Sequence, residues 1–443
     1  HVFGCSPDSA EGFAAGLELD AVARDTLSER VAASGAAESL GLLRALGGQF
    51  VPPGPAGAPA RGRLDVLPTG RNLYAIDPRS APTRNAWEIG RRAAEEICKR
   101  YAQDHGEWPK RIVLDLWGSA TMRTGGDDLA QAFALIGCRP TWDVASTRVN
   151  GFEVLPLALV GRPRVDVTLR ISGLFRDIFP SQIALFSAAV RAVAALDESA
   201  EDNPLAGLKG AARIFGAAPG AYGVGLGARI ARGEWAERSE LAEAYLAATS
   251  HAYEGEAEAR EAAAEFRARV AGAEAFVHAQ DLPGQDALDA DAFAEHEGGF
   301  AAAAAETGAH PALYHLDSTI PGAPKIRTLG QEIARSLRGR AANPRWLQGQ
   351  MRHGHRGAAE IAQSLDNLYC FAALTDAVAS AQFDLMFDAT LGDDSVRAFL
   401  VNANRRAACH MAGVFEEAAK RGFWLSRRNS SARILASVLK EAA

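Results

Sequence analysis

The strongest constraint on this chain is a pair of short apolar runs with helical spacing between them and after them. Arg111-Ile112-Val113-Leu114-Asp115-Leu116-Trp117 ends at Gly118, and Val165-Asp166-Val167-Thr168-Leu169-Arg170-Ile171 ends at Ser172-Gly173. Both read as strands. Asp127 to Ile136 is helical and leads to Gly137, and a second helix follows Gly173, breaks at Pro180 and resumes to Leu196. Strand, helix, strand, helix at these lengths predicts a parallel, Rossmann-like α/β unit. Ligands of such units bind at the carboxyl ends of the strands, which places the loops of interest at Gly118 and Ser172.

The flanking segments read differently. Asp8 to Leu46 has helical spacing and stops at Gly47-Gly48, and the Pro/Gly-rich run from Val51 to Gly62 can be neither helix nor central strand and reads as a linker. Asn85 to Tyr101 is an amphipathic helix. Beyond Leu205 the pattern is mostly helical, with helices predicted over Glu234–Ala248, Glu256–Ala271, Thr328–Arg338, His355–Val378 and Val396–Arg421. The expected fold class is therefore α/β plus mainly α. At 443 residues the chain exceeds one ordinary domain. The expected divisions are a helical lead-in at 1–48 ending a preceding domain, an α/β domain at 49–204, a mostly helical domain at 205–330 and a helical domain at 331–443.

A net charge of -7 argues against a general nucleic-acid binder. Lysine occurs only at positions 99, 110, 209, 325, 420 and 440, so the basic side is almost all arginine. A GC-rich genome is the plain explanation, and arginine forks also suit a substrate with many carboxylates. The five cysteines are scattered without a C-x-x-C pair, which indicates neither a disulfide framework nor a zinc site. No apolar run approaches the ~20 residues of a membrane span and no signal peptide is evident, so a cytoplasmic protein without membrane or nucleic-acid partners is expected. The chain starts at His1 and is expected to be a piece of something longer.

No motif for chemistry is decisive alone. Gly223-Val224-Gly225-Leu226-Gly227 lacks the spacing of a dinucleotide fingerprint and follows no strand. There is no G-x-x-x-x-G-K-[ST], hence no ATP site of that kind, and no H-E-x-x-H. Glu295-His296-Glu297-Gly298-Gly299 sets one imidazole between two carboxylates, a pattern that also suits a solvated helix end. Asp127 or Asp128 caps the helix it opens, and Asp177 beside Arg176 invites the same reading. Met351-Arg352-His353-Gly354-His355-Arg356 reads as an anion-binding turn.

Spelling and order carry more. Pro53-Gly54-Pro55 leading to Leu67-Pro68-Thr69-Gly70-Arg71-Asn72-Leu73-Tyr74-Ala75-Ile76-Asp77-Pro78, then Met122-Arg123-Thr124-Gly125-Gly126-Asp127-Asp128-Leu129-Ala130-Gln131, then Gly161-Arg162-Pro163-Arg164-Val165-Asp166-Val167 with Ser172-Gly173-Leu174-Phe175-Arg176-Asp177, resemble signatures of the large subunits of cobaltochelatase and magnesium chelatase. Asn72-Leu73-Tyr74, Met122 to Gly126, and the later stretches Tyr314-His315-Leu316-Asp317, Asn343-Pro344-Arg345-Trp346 and Arg421-Gly422-Phe423-Trp424 resemble the cobalt branch. That resemblance implies Co²⁺ as metal substrate and hydrogenobyrinic acid a,c-diamide as ring substrate. It also implies ATP and Mg²⁺ used on partners, an AAA+ ATPase and an integrin-like (MIDAS) subunit. A magnesium chelatase acting on protoporphyrin IX, and a tetrapyrrole-binding scaffold without chemistry of its own, are the alternatives. The loop after His278-Ala279-Gln280-Asp281 departs from the family spelling, with Leu282-Pro283-Gly284-Gln285 in place of a charged stretch.

Metal insertion needs a base for the ring N–H protons, weak ligands for Co²⁺ such as histidine and carboxylate, and a grip on an acidic rim. Arg71, Arg123 and Arg176 are the rim candidates, with Asn72, Thr124, Asp127, Asp177 and His353 beside them for substrate binding. His296 and Glu297 are the candidates for base and transient metal ligand, with His278 and Asp281 as further catalytic candidates.

Overall fold

The computed structural model describes residues 21–442 except 56, 58, 60–63, 72–75, 209, 211, 256–258 and 321. The two apolar runs are β1 (Arg111–Leu116) and β4 (Asp166–Ile171), and they pair directly and in parallel, Asp115 opposite Arg170. A separate hairpin, β2 (Cys138–Trp142) with β3 (Val149–Val154), lies between them in sequence. In the main sheet, strands β8 (Ala275–Gln280), β9 (Ala312–Asp317) and β5 (Ile214–Gly216) extend the parallel core. The edges are antiparallel: β10 (Lys325–Thr328) against β9, and β6 (His251–Ala252) and β7 (Arg260–Glu261) beyond β5. Among the described residues the sheet thus has eight strands in the order β10-β9-β8-β1-β4-β5-β6-β7. Among the described residues no helix is long and apolar enough to cross a membrane.

Side chains alternate across a strand, and both faces of this sheet are covered. Ile112, Leu114, Val167, Leu169, Val277 and Tyr314 join one core with the helices Arg84–His105, Asp127–Ile136 and Pro180–Ala194. Val113, Phe215 and Phe276 join the other with the helices Arg238–Thr249, Gly299–Glu306, Gly354–Leu374 and Arg405–Lys420. Local signals set the helix ends. The Thr83 hydroxyl accepts from the Ala86 amide at 3.2 Å, and Gly106 closes the same helix at φ 81°. Ser172 caps its helix through the Phe175 amide and also accepts from the Gly118 amide at 3.0 Å, tying together the loops after β1 and β4.

Several expectations change. The segment from 205 to 330 supplies six strands to the same sheet as β1 and β4, so the sheet crosses the expected division at 204/205. These strands escape periodicity because β5, β6 and β7 are two or three residues long, and β8 and β9 carry alanine and histidine where an apolar run was sought. Of the helix expected over Glu256–Ala271, residues 256–258 lie outside the described residues and the helix spans Ala263–Ala271; the one over Val396–Arg421 is two helices parted at Asn404, whose side chain caps the second by accepting from the Ala407 amide. The stretch that follows the expected linker, residues 64–71, is a strap across the helix Ala21–Leu46. Val66 and Leu67 are buried there, the Thr69 amide donates to Ser34 at 3.1 Å and the Thr69 hydroxyl to Glu38 at 2.7 Å.

Arg164, from the Gly161–Val167 motif, is wholly buried. It holds Glu198 through two bonds of 2.7 and 2.9 Å and donates to the carbonyls of Ile136, Gly137 and Leu155. Arg164→Met strands a shielded carboxylate and three carbonyls. We expect urea denaturation to show a loss of ~3–5 kcal/mol; a loss under ~1 kcal/mol would contradict this role.

Candidate active site

One row of ionisable side chains crosses the parallel sheet. The register aligns Arg170 of β4 with Asp115 of β1, Asp115 with His278 of β8, and His278 with His315 of β9. Arg327 of β10 stands opposite His315. Two residues earlier on the same face stand Val113, Thr168, Phe276 and Leu313, so the row follows a mostly apolar tier near the carboxyl ends of the strands. Asp115, Arg170, His278 and His315 are all buried to 3% exposure or less. Arg170 donates to Asp115 Oδ1 at 2.8 Å and the Trp117 indole donates to Oδ2 at 2.8 Å, while His278 Nδ1 lies 3.4 Å from Oδ2.

A π-helical turn, Ala294–Gly298, caps the row between the short helix Asp291–Phe293 and the helix Gly299–Glu306. Such turns insert a residue and redirect side chains, and they recur at functional sites. Glu295 turns outward and accepts from the Gly227 amide at 2.8 Å. His296 turns inward, with Nε2 3.3 Å from Arg170 Nη2 and its ring edge-on to Trp117 at 4.9 Å. Glu297 reaches His315 Nδ1 at 3.4 Å, and the far nitrogen of His315 meets Gln280 Oε1 at 3.0 Å. The turn fits because Gly299 has no Cβ, which would sit 2.4 Å from Tyr245 Cδ2. His296 Nδ1, Glu297 Oε1, Arg170 Nε and the Tyr245 hydroxyl are buried and have no hydrogen-bond partner among the described residues. Unmet polar capacity of this kind beside a buried charge row makes the row the candidate site.

Protonation follows from the surroundings. Burial pushes His278 down to about 4, with Asp115 only partly offsetting it. Burial likewise drives His296 well below the ordinary histidine range, and the Arg170 charge adds to it. Burial opposes the charge on Asp115, but its polar neighbours together, Arg170 first among them, outweigh it and hold the carboxyl at about 2. Burial raises Glu297; burial of the His315 ring opposes its charge, but Glu297, with Glu332 and Asp317, outweighs that and raises it. At neutral pH the row therefore holds two neutral imidazoles beside a carboxylate, and next to them a His–Glu pair placed to share a proton. Behind the pair, wholly buried Glu332 accepts from Arg327 at 3.2 Å and from Arg335 at 2.9 Å.

Of the residues expected from sequence, His278, His296 and Glu297 meet at this row. Asp281 lies just past β8 and receives both arms of Arg123, at 2.8 and 2.9 Å, clasping the loops after β1 and β8. Thr124 is buried and accepts from the amides of Gly126 and Asp127, which makes it a turn-former; Asp127 and Asp128 lie in the first turn of their helix, where the dipole favours them, but the cap position is Gly126 rather than either aspartate. Arg176 is buried and faces no cleft: it binds Asp177 at 2.6 and 3.0 Å and the carbonyls of Ala217, Ala218 and Ala221. Asp177 also accepts from the Tyr222 hydroxyl. Arg71 is exposed on the strap, and Asn72 lies outside the described residues. His353 is exposed at the start of the helix Gly354–Leu374, whose last residue packs against Gly298. At ~1.5 Å per residue that is about 30 Å from the row. No group of three or more His, Cys, Asp or Glu side chains among the described residues is arranged to hold a metal ion. His296 and Glu297 face different partners, Arg170 and His315.

Sequence reasoning passed over Asp115, Trp117, Arg170, Gln280 and His315. The signal for Asp115, Arg170 and His315 is one ionisable residue near the end of each strand, where buried parallel strands are normally apolar throughout. At pH 6 we expect His278 and His296 to give nitrogen NMR shifts of neutral imidazole. Unfolded chains take up these protons near pH 6.5, so stability falls as pH drops from ~6.5 towards 4. A midpoint near 6.5 for both rings in the folded protein would contradict the burial argument.

Comparison with known proteins fits this geometry. A family model described as CobN/Magnesium Chelatase matches residues 8–431. The aerobic cobaltochelatase subunit CobN of Sinorhizobium sp is 48% identical over 433 residues, covering 93% of this chain and 34% of that protein. A magnesium-chelatase subunit of Rhodobacter capsulatus is 33% identical over 407 residues, covering 87% of this chain and 33% of that protein. A solved structure, the catalytic subunit of cobaltochelatase from Mycobacterium tuberculosis, superposes with a TM-score of 0.88 at 38% identity, covering 99% of this chain and 38% of that one. The chain thus spans about a third of the length of the relatives it matches. It belongs to the CobN/magnesium chelatase family.

Proposed function

We propose that this chain is the part of a cobaltochelatase large subunit that handles the protons of metal insertion. Inserting Co²⁺ into a tetrapyrrole-like ring forms cobalt–nitrogen bonds, displaces water from the ion and releases the N–H protons of the ring, one from a corrin and two from a porphyrin. A proton acceptor is therefore needed close to the ring nitrogens. The observation that carries the reading is the buried row itself, with neutral His278 and His296 and the proton-sharing His315–Glu297 pair fixed by Asp115 and Arg170. Glu297 Oε1 is buried with no hydrogen-bond partner among the described residues, and the lone pair of neutral His296 lies at Nε2, met by a 3.3 Å contact to Arg170; these two groups are the proposed proton acceptors. They also serve as weak, separate contacts for the incoming ion, holding it without trapping it.

Arg123, about 30% exposed and clasped to Asp281, and Arg71 are proposed for the acidic rim. Arg176 and Asp177 brace the loop 217–222 instead. The ring substrate proposed is hydrogenobyrinic acid a,c-diamide, with ATP hydrolysed on an AAA+ partner and an integrin-like subunit completing the assembly. The greater similarity to cobalt-branch relatives, 48% against 33%, favours cobalt over magnesium.

The test uses the parent large subunit with its partner subunits. His296→Ala and Glu297→Ala are each expected to lower cobalt insertion by ~10²–10⁴-fold, the usual span of a lost acid–base group, with corrinoid binding retained. Undiminished insertion in both variants would overturn the assignment. Tighter binding of protoporphyrin than of the corrinoid would point to the magnesium branch. Corrinoid binding without insertion by the wild-type assembly would leave a scaffold.

A further inference from the structure

The segment 333–359 contains six arginines and two histidines and no aspartate or glutamate, in a chain whose net charge is -7. The segment 395–415 is likewise without acids and carries Arg397, Arg405 and Arg406. The fold brings these two stretches together. The Asn404 side chain donates to the His355 carbonyl at 3.4 Å, and His410 meets Asp366 at 2.7 Å farther along. The helices Gly354–Leu374 and Arg405–Lys420 therefore begin side by side, and Arg352, His353, His355, Arg356, Arg405 and Arg406 are all exposed there.

Two features make this more than a solvated face. Most arginines of the chain have acidic partners, yet among the described residues Arg352, Arg405 and Arg406 make no ion pair; Arg356 pairs with Glu360. The helix ends are also charged against the usual rule. A helix N-terminus carries partial positive charge and favours acids in its first turn. Neither helix has an acid there, one opens on Arg405-Arg406, and the other has His353 at its cap position with no side-chain capping bond. Side-chain cations and two helix dipoles thus add in one place.

We infer that this surface docks an extended acidic segment of another protein. The side chains stand on two exposed helix ends, and the cavity of about 800 Å³ beside Asp366 and His410 is lined by other residues, which disfavours a small enclosed anion. Nucleic acid is disfavoured because the chain as a whole is negative and Trp346, the nearby aromatic in sequence, lies under Arg340 at 5.0 Å and is half-buried. An acidic peptide needs only a local positive field and several independent contacts. This inference does not rest on the reading of the polar row.

The probe is a fluorescent oligo-glutamate of about a dozen residues, added to the parent subunit at about 50 mM salt, where screening is weak. Binding is expected, to weaken as salt rises, and to fall about tenfold or more in an Arg352→Glu/Arg405→Glu/Arg406→Glu variant, since three contacts are reversed at once. The milder Arg405→Gln/Arg406→Gln variant should fall between, and Arg92→Glu, on the opposite layer, should change nothing. No binding by the wild type, equal loss in the Arg92→Glu control, or unchanged binding in both patch variants would overturn the inference. Stronger binding of a DNA duplex of equal charge would replace it with a nucleic-acid surface.

Discussion

The bidentate neighbourhood of Asp115 is the interaction on which the site depends. An isolated carboxylate at 1% exposure is costly, and this one persists because Arg170 and the Trp117 indole satisfy both oxygens. With the charge fixed there, His278 is anchored beside it and Arg170 is held where its other arm meets His296. Each strand contributes one member, so the chemistry depends on the sheet register. Shifting any strand by one residue would turn its member towards the opposite core.

The π turn completes what the sheet begins. A regular helix through 294–298 could not send Glu295 to the loop at Gly227 while setting His296 and Glu297 against Arg170 and His315. Gly299 allows the close approach of Tyr245 that this path requires. The sequence Glu295-His296-Glu297-Gly298-Gly299 looks like a solvated helix end, yet its second and third members are among the most buried polar groups in the protein. Placement within an irregular turn, rather than residue type, is what distinguishes the two readings.

What could be read from sequence follows from which signals are local. The β1 and β4 runs, their parallel pairing and the helix break at Pro180 are local patterns, and the structure shows them. The other six strands of the sheet are short, or rich in alanine and histidine, and are strands because they add to an edge that already exists. The same holds for the site. His278, His296 and Glu297 stand out as ionisable residues in named motifs, whereas Asp115, Arg170 and His315 become a row only through register. Arg176 shows the reverse error: an arginine on a promising loop whose donors are all directed at Asp177 and backbone carbonyls.

The most direct test of the account is the pH dependence of single-turnover cobalt insertion by the parent subunit, compared with Asp115→Asn. Asp115 supports the basicity of His278 and His296 against burial and the Arg170 charge. Removing that carboxylate should lower the insertion rate across neutral pH and move the acid limb of the profile to lower pH, while corrinoid affinity stays near that of the wild type. An unchanged rate with an unmoved acid limb would contradict the claim that the buried row takes the ring's protons.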